Sequence, residues 1–328
     1  MHHHNFHAFV AKDNAELGYL MGCAFRKQAK NALAMKRAAG SWSLLKRQAN
    51  EYLQVTKRHF PRYIEEMRCY AKGAGLSFDD LWALSLENDI AFITPIPKCT
   101  TIVTNRGNSF LHIEDWAKGM DDSICVVMKT IGHLSILELF YYNTLGGNSV
   151  SVNSNGFACS VNSLIHADKR IGVPGNVLAR YASETSNPDK TLRRIKDLPR
   201  GLGYNFNILR RDGRLWNAES TSTGMVKTTP DMPFVHTNHF LTRLKASEAV
   251  PDEWASFERY ARAKDLVRGR MSQSDLKRIA NDRKGWPDRS IFNERTIAKT
   301  VVDKKNLTVS VWLSRERTKG WVSYGTWF

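Results

Sequence analysis

From Asn14 to about Phe92, apolar residues recur at spacings of three and four. Leu17, Leu20, Met21, Ala24 and Phe25 form one stripe, and Leu45, Ala49, Tyr52, Leu53 and Thr56 form a second. That is the period of amphipathic helices. Pro61 breaks or restarts the second helix, because proline lacks the amide an interior turn needs; Tyr63, Ile64, Met67 and Tyr70 then resume the stripe. Gly73 and Gly75 punctuate the chain, and Ser77-Phe78-Asp79-Asp80 reads as a capping-box start with Asp80 in place of the usual Glu. A helical arm of this kind has an apolar face that must pack against something else.

At Cys99 the period changes to that of strands. Residues 100–104 and 109–113, joined by Asn105-Arg106-Gly107-Asn108, predict a hairpin, and residues 124–130, 134–142 and 149–153 continue the run. Asn155-Gly156 predicts a type I′ turn into residues 157–162. Helical signals return at 176–182 and 190–196, strands at 205–209 and 214–220 across Asp212-Gly213, and a polar helical stretch at about 253–280. Residues 296–303 and 307–313 form a last hairpin. No repeat, low-complexity tract or linker divides the 328 residues. The count favours a layered α+β protein with two antiparallel sheets, folded as one unit.

Composition narrows the picture. An apolar content of 42% supports a sizeable core and argues against disorder. The five cysteines are odd in number and widely spaced, with no C-x-x-C or Cys/His ligand pattern, so neither a disulfide framework nor a structural metal site is expected. A reducing, cytoplasmic setting follows from that usage, and no apolar run approaches the length of a membrane span. The net charge of +16 is distributed over three broad, acid-interrupted regions and matches no zinc-finger, homeodomain or RNP pattern. It reads mainly as a solvated surface, with attraction of an anionic substrate as the remaining use; nucleic acid is not an expected partner. The Met1-His2-His3-His4 start is a weak metal-binding signal and carries no functional reading.

Cys99 stands where helical pattern gives way to strand pattern, directly after Thr94-Pro95-Ile96-Pro97-Lys98. A cut at the Lys98–Cys99 bond would free an α-amine with a reference pKa of about 7.7–8.0, close to the thiol's value of about 8.5. Transfer of the thiol proton to that amine would be nearly thermoneutral, and the thiolate is the attacking species. Alone, a cysteine is more ordinarily a small apolar core residue. The surrounding blocks change that: Cys99-Thr100-Thr101, His112-Ile113-Glu114-Asp115-Trp116, Asn155 through Leu164, and His236-Thr237-Asn238-His239-Phe240. In this order, and with Glu16-Leu17-Gly18 and Gly22 near the start, the chain resembles the acyl-coenzyme A:isopenicillin N acyltransferase family of N-terminal nucleophile hydrolases.

The resemblance implies a four-layer αββα sandwich and self-cleavage before the nucleophile, leaving residues 1–98 as a helical small chain and 99–328 as the sheet-rich large chain. It implies that Cys99 attacks a linear amide or acyl thioester, that Asp115 orients its amine, and that Asn162 and Asn238 supply amide groups for a developing oxyanion. A late arginine supports the nucleophile's charge; among Arg289, Arg295, Arg315 and Arg317, the choice is Arg295, which precedes the last hairpin. His112, His236 and His239 read as structural or pocket-lining, since an N-terminal cysteine carries its own base. No cofactor is expected. Lys98 and Ile113 depart from the small or acidic residue and the asparagine more usual at those places. Two other readings stay open: a non-catalytic basic binding protein on the same fold, and a cysteine hydrolase active without cleavage. The acyl and amine groups, hydrolysis versus transfer, and oligomeric state are not legible.

Overall fold

Apolar alternation along fourteen strands builds two sheets, and helical stripes cover the outer face of each. The computed structural model describes residues 5–38, 40–86, 90, 99–117, 119–249 and 255–325. The first sheet has eight strands in the order β1-β4-β5-β6-β7-β8-β9-β10. They are β1 (Phe6–Ala11), β4 (Ile124–Ile131), β5 (Leu134–Tyr141), β6 (Val150–Asn153), β7 (Phe157–Leu164), β8 (Gly203–Arg210), β9 (Leu215–Ser220) and β10 (Met225–Thr228). The second has six, ordered β11-β2-β3-β12-β13-β14, comprising β11 (Phe234–His236), β2 (Cys99–Thr104), β3 (Ser109–Asp115), β12 (Thr296–Asp303), β13 (Thr308–Leu313) and β14 (Val322–Gly325). Only β1 and β4 pair in parallel; the other pairs are antiparallel.

Three apolar clusters separate four layers. Helices α1 (Asn14–Ala24), α2 (Arg26–Ala38), α3 (Trp42–His59), α4 (Pro61–Ala74), α5 (Phe78–Ser85), α6 (Gly175–Ser183) and α7 (Pro188–Asp197) cover the larger sheet. Leu17, Met21, Tyr63 and Met67 there share a core with Val127, Phe140 and Phe206. Val103, Phe110, Val126, Leu139 and Val302 fill the space between the sheets. Helices α8 (Ser256–Leu266) and α9 (Gln273–Ile279) close the outer face of the smaller sheet over Ile102, Leu111, Ile113 and Val301. The architecture is the expected αββα α+β sandwich.

Local chemistry explains the helical arm. Pro61 sits in the first turn of α4, where its missing amide costs nothing. Gly18 and Gly22 let α1 lie backbone to backbone on α4: a Cβ on Gly18 would stand 2.0 Å from the Glu66 carbonyl oxygen. Ser77 caps α5 by accepting from Asp80 N, but its hydroxyl also donates to the Asp80 carboxylate, which binds Arg37 and Trp42 as well. The expected reciprocal box therefore becomes a hub joining three helices.

Two expectations are corrected, and four strands are added. The Asn155-Gly156 connection is not a two-residue type I′ turn: Asn153 pairs with Phe157 across three loop residues, and only Gly156 has positive φ, at 85°. The Asn153 side chain accepts from Asn155 N and Phe157 N and so stabilises the longer loop. The polar stretch near 253–280 is two helices broken at residues 267–272; its first residues, 253 and 254, lie outside the described residues, as do 91 and 92 at the end of the helical arm. Strand β1 and the short strands β10, β11 and β14 carry too few alternating residues to be read from pattern.

Candidate active site

Cys99 is the first residue of β2, and strand alternation dictates what surrounds it. Cys99, Thr101 and Val103 face the space between the sheets, while Thr100 and Ile102 face the helical layer outside. In the β2–β3 register Cys99 opposes Glu114, and Thr101 opposes His112. The i, i+2 spacing of His112 and Glu114 thus sets both on the Cys99 side-chain face, with Ile113 and Asp115 on the other.

Cys99 Sγ lies 3.8 Å from both Glu114 carboxylate oxygens. Tyr141 Oη donates to Glu114 Oε1 at 2.7 Å, Ser149 Oγ donates to Oε2 at 2.6 Å, and His112 Nε2 stands 3.0 Å from Oε2. Burial raises the Tyr141 phenol well above its usual range, and the Glu114 charge adds to that, so Tyr141 remains a donor. Deeper in the sandwich, Thr101 Oγ1 meets His112 Nδ1 at 2.9 Å and donates to Asn162 Oδ1 at 2.9 Å. Asn207 Nδ2 donates to the same oxygen at 3.0 Å, and Asn217 Nδ2 donates to Asn207 Oδ1 at 2.9 Å.

The backbone of Cys99 is held from the other side. Its N–H, an amide in the uncut chain, donates to Asn238 Oδ1 at 3.1 Å. The Arg259 guanidinium donates to the Cys99 carbonyl at 2.8 Å, to Thr100 Oγ1 at 2.7 Å and to Asn238 Oδ1 at 2.8 Å. Helix α8 carries both Arg259 and Ser256, whose hydroxyl accepts from Asn238 N at 2.8 Å. One helix therefore fixes the Cys99 backbone and the asparagine that faces it. The buried pair of His236 Nε2 and Glu219 Oε1, 2.8 Å apart, with Leu241 N and Thr242 N donating to the same carboxylate, steadies the loop that bears Asn238.

Asp115 is fully buried on the outer face. Its Oδ1 accepts from Thr296 Oγ1 at 2.7 Å, whereas Oδ2 makes no hydrogen bond and lies 4.0 Å from Arg259 Nη1. Burial pushes the Asp115 carboxyl above its usual range, against the pull of Arg259 and Thr296. Burial likewise lowers the Arg259 guanidinium's pKa despite Asp115. Both directions describe charges held in a dry site at a separation too long to compensate fully.

The sequence-derived residues are therefore unequally placed. Asn238 touches Cys99, and Asp115 is connected to it through Arg259. Asn162 lies one strand step deeper and is joined through Thr101; its Nδ2 is a buried donor without a hydrogen-bond partner. Arg295 contributes backbone rather than guanidinium, its carbonyl accepting from Trp116 N at 2.9 Å. The arginine at Cys99 is Arg259, which sequence reading missed because it sits in a helix crowded with exposed cations. Glu114 and His112 were also passed over, although their strand spacing relative to Cys99 was a usable signal. Lys98 lies outside the described residues.

The chain is similar to several known proteins. The family model described as acyl-coenzyme A:6-aminopenicillanic acid acyl-transferase matches residues 103–318. The acyl-coenzyme A:6-aminopenicillanic-acid-acyltransferase 40 kDa form of Emericella nidulans is 25% identical over 273 residues, 78% of this chain and 75% of that protein. A β-alanyl-dopamine/carcinine hydrolase of Drosophila melanogaster is 25% identical over 347 aligned positions, covering 90% and 89%. Among solved structures, a conjugated bile acid hydrolase from Clostridium perfringens aligns at 10% identity over 69% of this chain and 92% of that one, with a TM-score of 0.43.

Proposed function

The chain belongs to the acyl-coenzyme A:6-aminopenicillanic acid acyl-transferase family and is an enzyme of the acyltransferase and amidohydrolase kind; from that premise we propose that Cys99 is an N-terminal nucleophile released by self-cleavage. One observation carries the reading. Three parts of Cys99 are separately placed: its nitrogen on Asn238, its carbonyl on Arg259 and its sulfur beside Glu114.

In the precursor the Cys99 thiol attacks the Lys98 carbonyl carbon. The C–N bond breaks as the C–S bond forms, and water hydrolyses the resulting thioester to leave a Lys98 carboxylate and a free Cys99 amine. Residues 1–98 and 99–328 then form the small and large chains. In turnover the amine accepts the thiol proton and the thiolate attacks the acyl carbon of a linear amide or acyl thioester. Asn238 Oδ1 and Arg259 hold the amine beside the sulfur, with Asp115 balancing Arg259. The oxyanion takes donors from this wall; Asn162 Nδ2, which makes no hydrogen bond, is one amide donor at hand. Collapse expels the amine or thiol leaving group with the stored proton, and a second acceptor resolves the acyl-enzyme.

The fungal relative is named for an acyl-coenzyme A donor and 6-aminopenicillanic acid, and the fly relative for hydrolysis. Carried to this chain, transfer and hydrolysis are two fates of one acyl-enzyme, decided by whether an amine or water reaches it. Intact-mass measurement on purified protein tests the proposal: two chains split at Lys98/Cys99 are expected, and Cys99→Ala should abolish both the split and turnover. An uncut wild-type chain that forms no adduct at Cys99 would overturn it. An uncut chain that turns over through Cys99 would instead establish a hydrolase active without processing.

A further inference from the structure

The side chains on the sulfur's own face, His112 and Glu114, have no assigned step in the acyl-transfer reading. Cys99 Sγ, His112 Nε2 and a Glu114 oxygen all lie within 4.8 Å of one another, and all three residues are buried. A tetrahedral zinc site with Zn–N and Zn–O near 2.0 Å and Zn–S near 2.3 Å places its ligand atoms roughly 3.3–3.6 Å apart. The separations are 3.0 Å from His112 to Glu114 and 3.8 Å from Cys99 to Glu114, each within a few tenths of an ångström of that geometry, and Cys99 to His112 is within 4.8 Å, so the sulfur and the imidazole would close on each other when a cation binds.

Hydrogen-bond polarity gives an independent reason. Thr101 has one hydroxyl proton and donates it to Asn162 Oδ1, an acceptor also used by Asn207, whose own orientation is set by Asn217. His112 Nδ1 then donates to Thr101 Oγ1, so Nε2 faces Glu114 as an N–H in the imidazolium and becomes a ligand lone pair when that proton leaves. Tyr141 and Ser149 donate to that carboxylate from outside the triangle. Sulfur, nitrogen and carboxylate oxygen therefore converge on one point, where protons on the thiol and imidazole bridge to Glu114 in the metal-free protein and a single cation could replace them. The surrounding shell matches a metal site's as well: an imidazole whose far nitrogen is held by a hydroxyl, and a ligand carboxylate steadied by two donors. Arg259 does not occupy the place, since it binds the Cys99 carbonyl, Thr100 and Asn238 from the opposite face.

We propose that Cys99, His112 and Glu114 bind a zinc-class divalent cation that silences the nucleophile. A thiolate and a carboxylate balance the two charges of the ion, and the neutral imidazole completes three protein ligands. Binding depends on these side chains alone; only its consequence, inhibition, rests on Cys99 being the nucleophile.

The test uses full-length protein stripped with chelator, Zn²⁺ alone at buffered free concentrations, and alkylation of Cys99 read by peptide mass, which separates it from exposed Cys23. Co²⁺ serves as a spectroscopic probe, because a thiolate–cobalt band requires sulfur and histidines 2–4 cannot produce one. One equivalent should protect Cys99 and give the band, and Cys99→Ala should lose the band. His112→Gln and Glu114→Gln should each weaken binding at least about tenfold, and Thr101→Val about 10–100-fold through loss of imidazole orientation. Equal alkylation with and without saturating Zn²⁺, or unchanged binding in both His112→Gln and Glu114→Gln, would overturn the site. If one of these variants fails to fold, the other and the cobalt band decide. Metal-free protein whose Cys99 neither cuts nor alkylates would instead refute the nucleophile, with calorimetric zinc binding still reporting on the site.

Discussion

Two largely buried polar regions of this molecule are oppositely built. Between the helical layer and the larger sheet, the buried Lys129 and Arg180 meet Glu66, Glu138 and Glu184, and the exposed Arg62 joins Glu184 at the rim. Arg180 bonds Glu66 at 2.9 Å and Glu184 at 2.7 Å, Arg62 reaches Glu184 at 2.5 Å, and Lys129 pairs with Glu138. Around Cys99 the pair of Asp115 and Arg259 is 4.0 Å long, and a buried amide donor stands without a hydrogen-bond partner. Burial acts on both regions, yet the outcomes differ. Burial would raise the Glu184 carboxyl, but Arg180 and Arg62 outweigh it and hold the group below its usual range, whereas burial prevails at Asp115. Close, matched charges make the first region a fastening; spare donors and a loose pair make the second a place where new charge can be received.

The largest effect should come from unfastening the first region. Glu66 and Arg62 precede Cys99 in the chain, while Arg180, Glu184, Lys129 and Glu138 follow it, so this cluster would join the two halves after a cut. Arg180→Ala leaves Glu66 and Glu184 buried without their shared partner and should cost about 3–5 kcal/mol in chemical denaturation. A loss below about 1 kcal/mol would mean the cluster is not the fastening described. Glu184 adds a pH signature. Its folded pKa is lowered, so its contribution is complete above the unfolded value of about 4.5 and disappears as pH falls through the folded one.

How well the sequence anticipated these regions follows from how each is encoded. Helical stripes such as Leu17-Met21 and strand alternation in β2 and β3 are local, so the layers and the position of Cys99 at a strand start were readable. Asn238 lay within a recognisable block. The contact of Arg259 with Cys99 spans 160 positions and depends on how α8 crosses the smaller sheet, which no local period encodes. The ion cluster was hidden similarly: Glu66 looks like a surface acid until α1 and α4 close over it through Gly18.

The next effect tests the second region's geometry. Arg259→Lys keeps a cation but removes the planar fork that spans the Cys99 carbonyl, Thr100 and Asn238, a site where the two residues are not interchangeable. Misplacing the nucleophile's backbone should lower kcat about 100-fold, while KM changes much less because no substrate contact is assigned to this residue. An equal fall in thermal stability and activity would indicate a purely structural arginine, and the contrast between fastening and working site would fail at this point.

The smallest effect has the opposite sign. The Asp115 carboxyl has a folded pKa above its unfolded value of 3.8, so the ionised form opposes folding. That penalty is complete above the folded pKa and absent below the unfolded one. Asp115→Asn removes it while leaving an oxygen for Thr296, so the variant should be more stable than the wild type at pH 7, by about 1 kcal/mol, with the difference shrinking toward pH 4. Turnover should fall even as stability rises, because Arg259 would lose the charge that balances it beside the Cys99 amine. Paired denaturation curves at several pH values with a rate measurement decide the matter. A variant less stable at pH 7 would show that Asp115, like Glu184, fastens the fold, and the distinction between the two buried regions would dissolve.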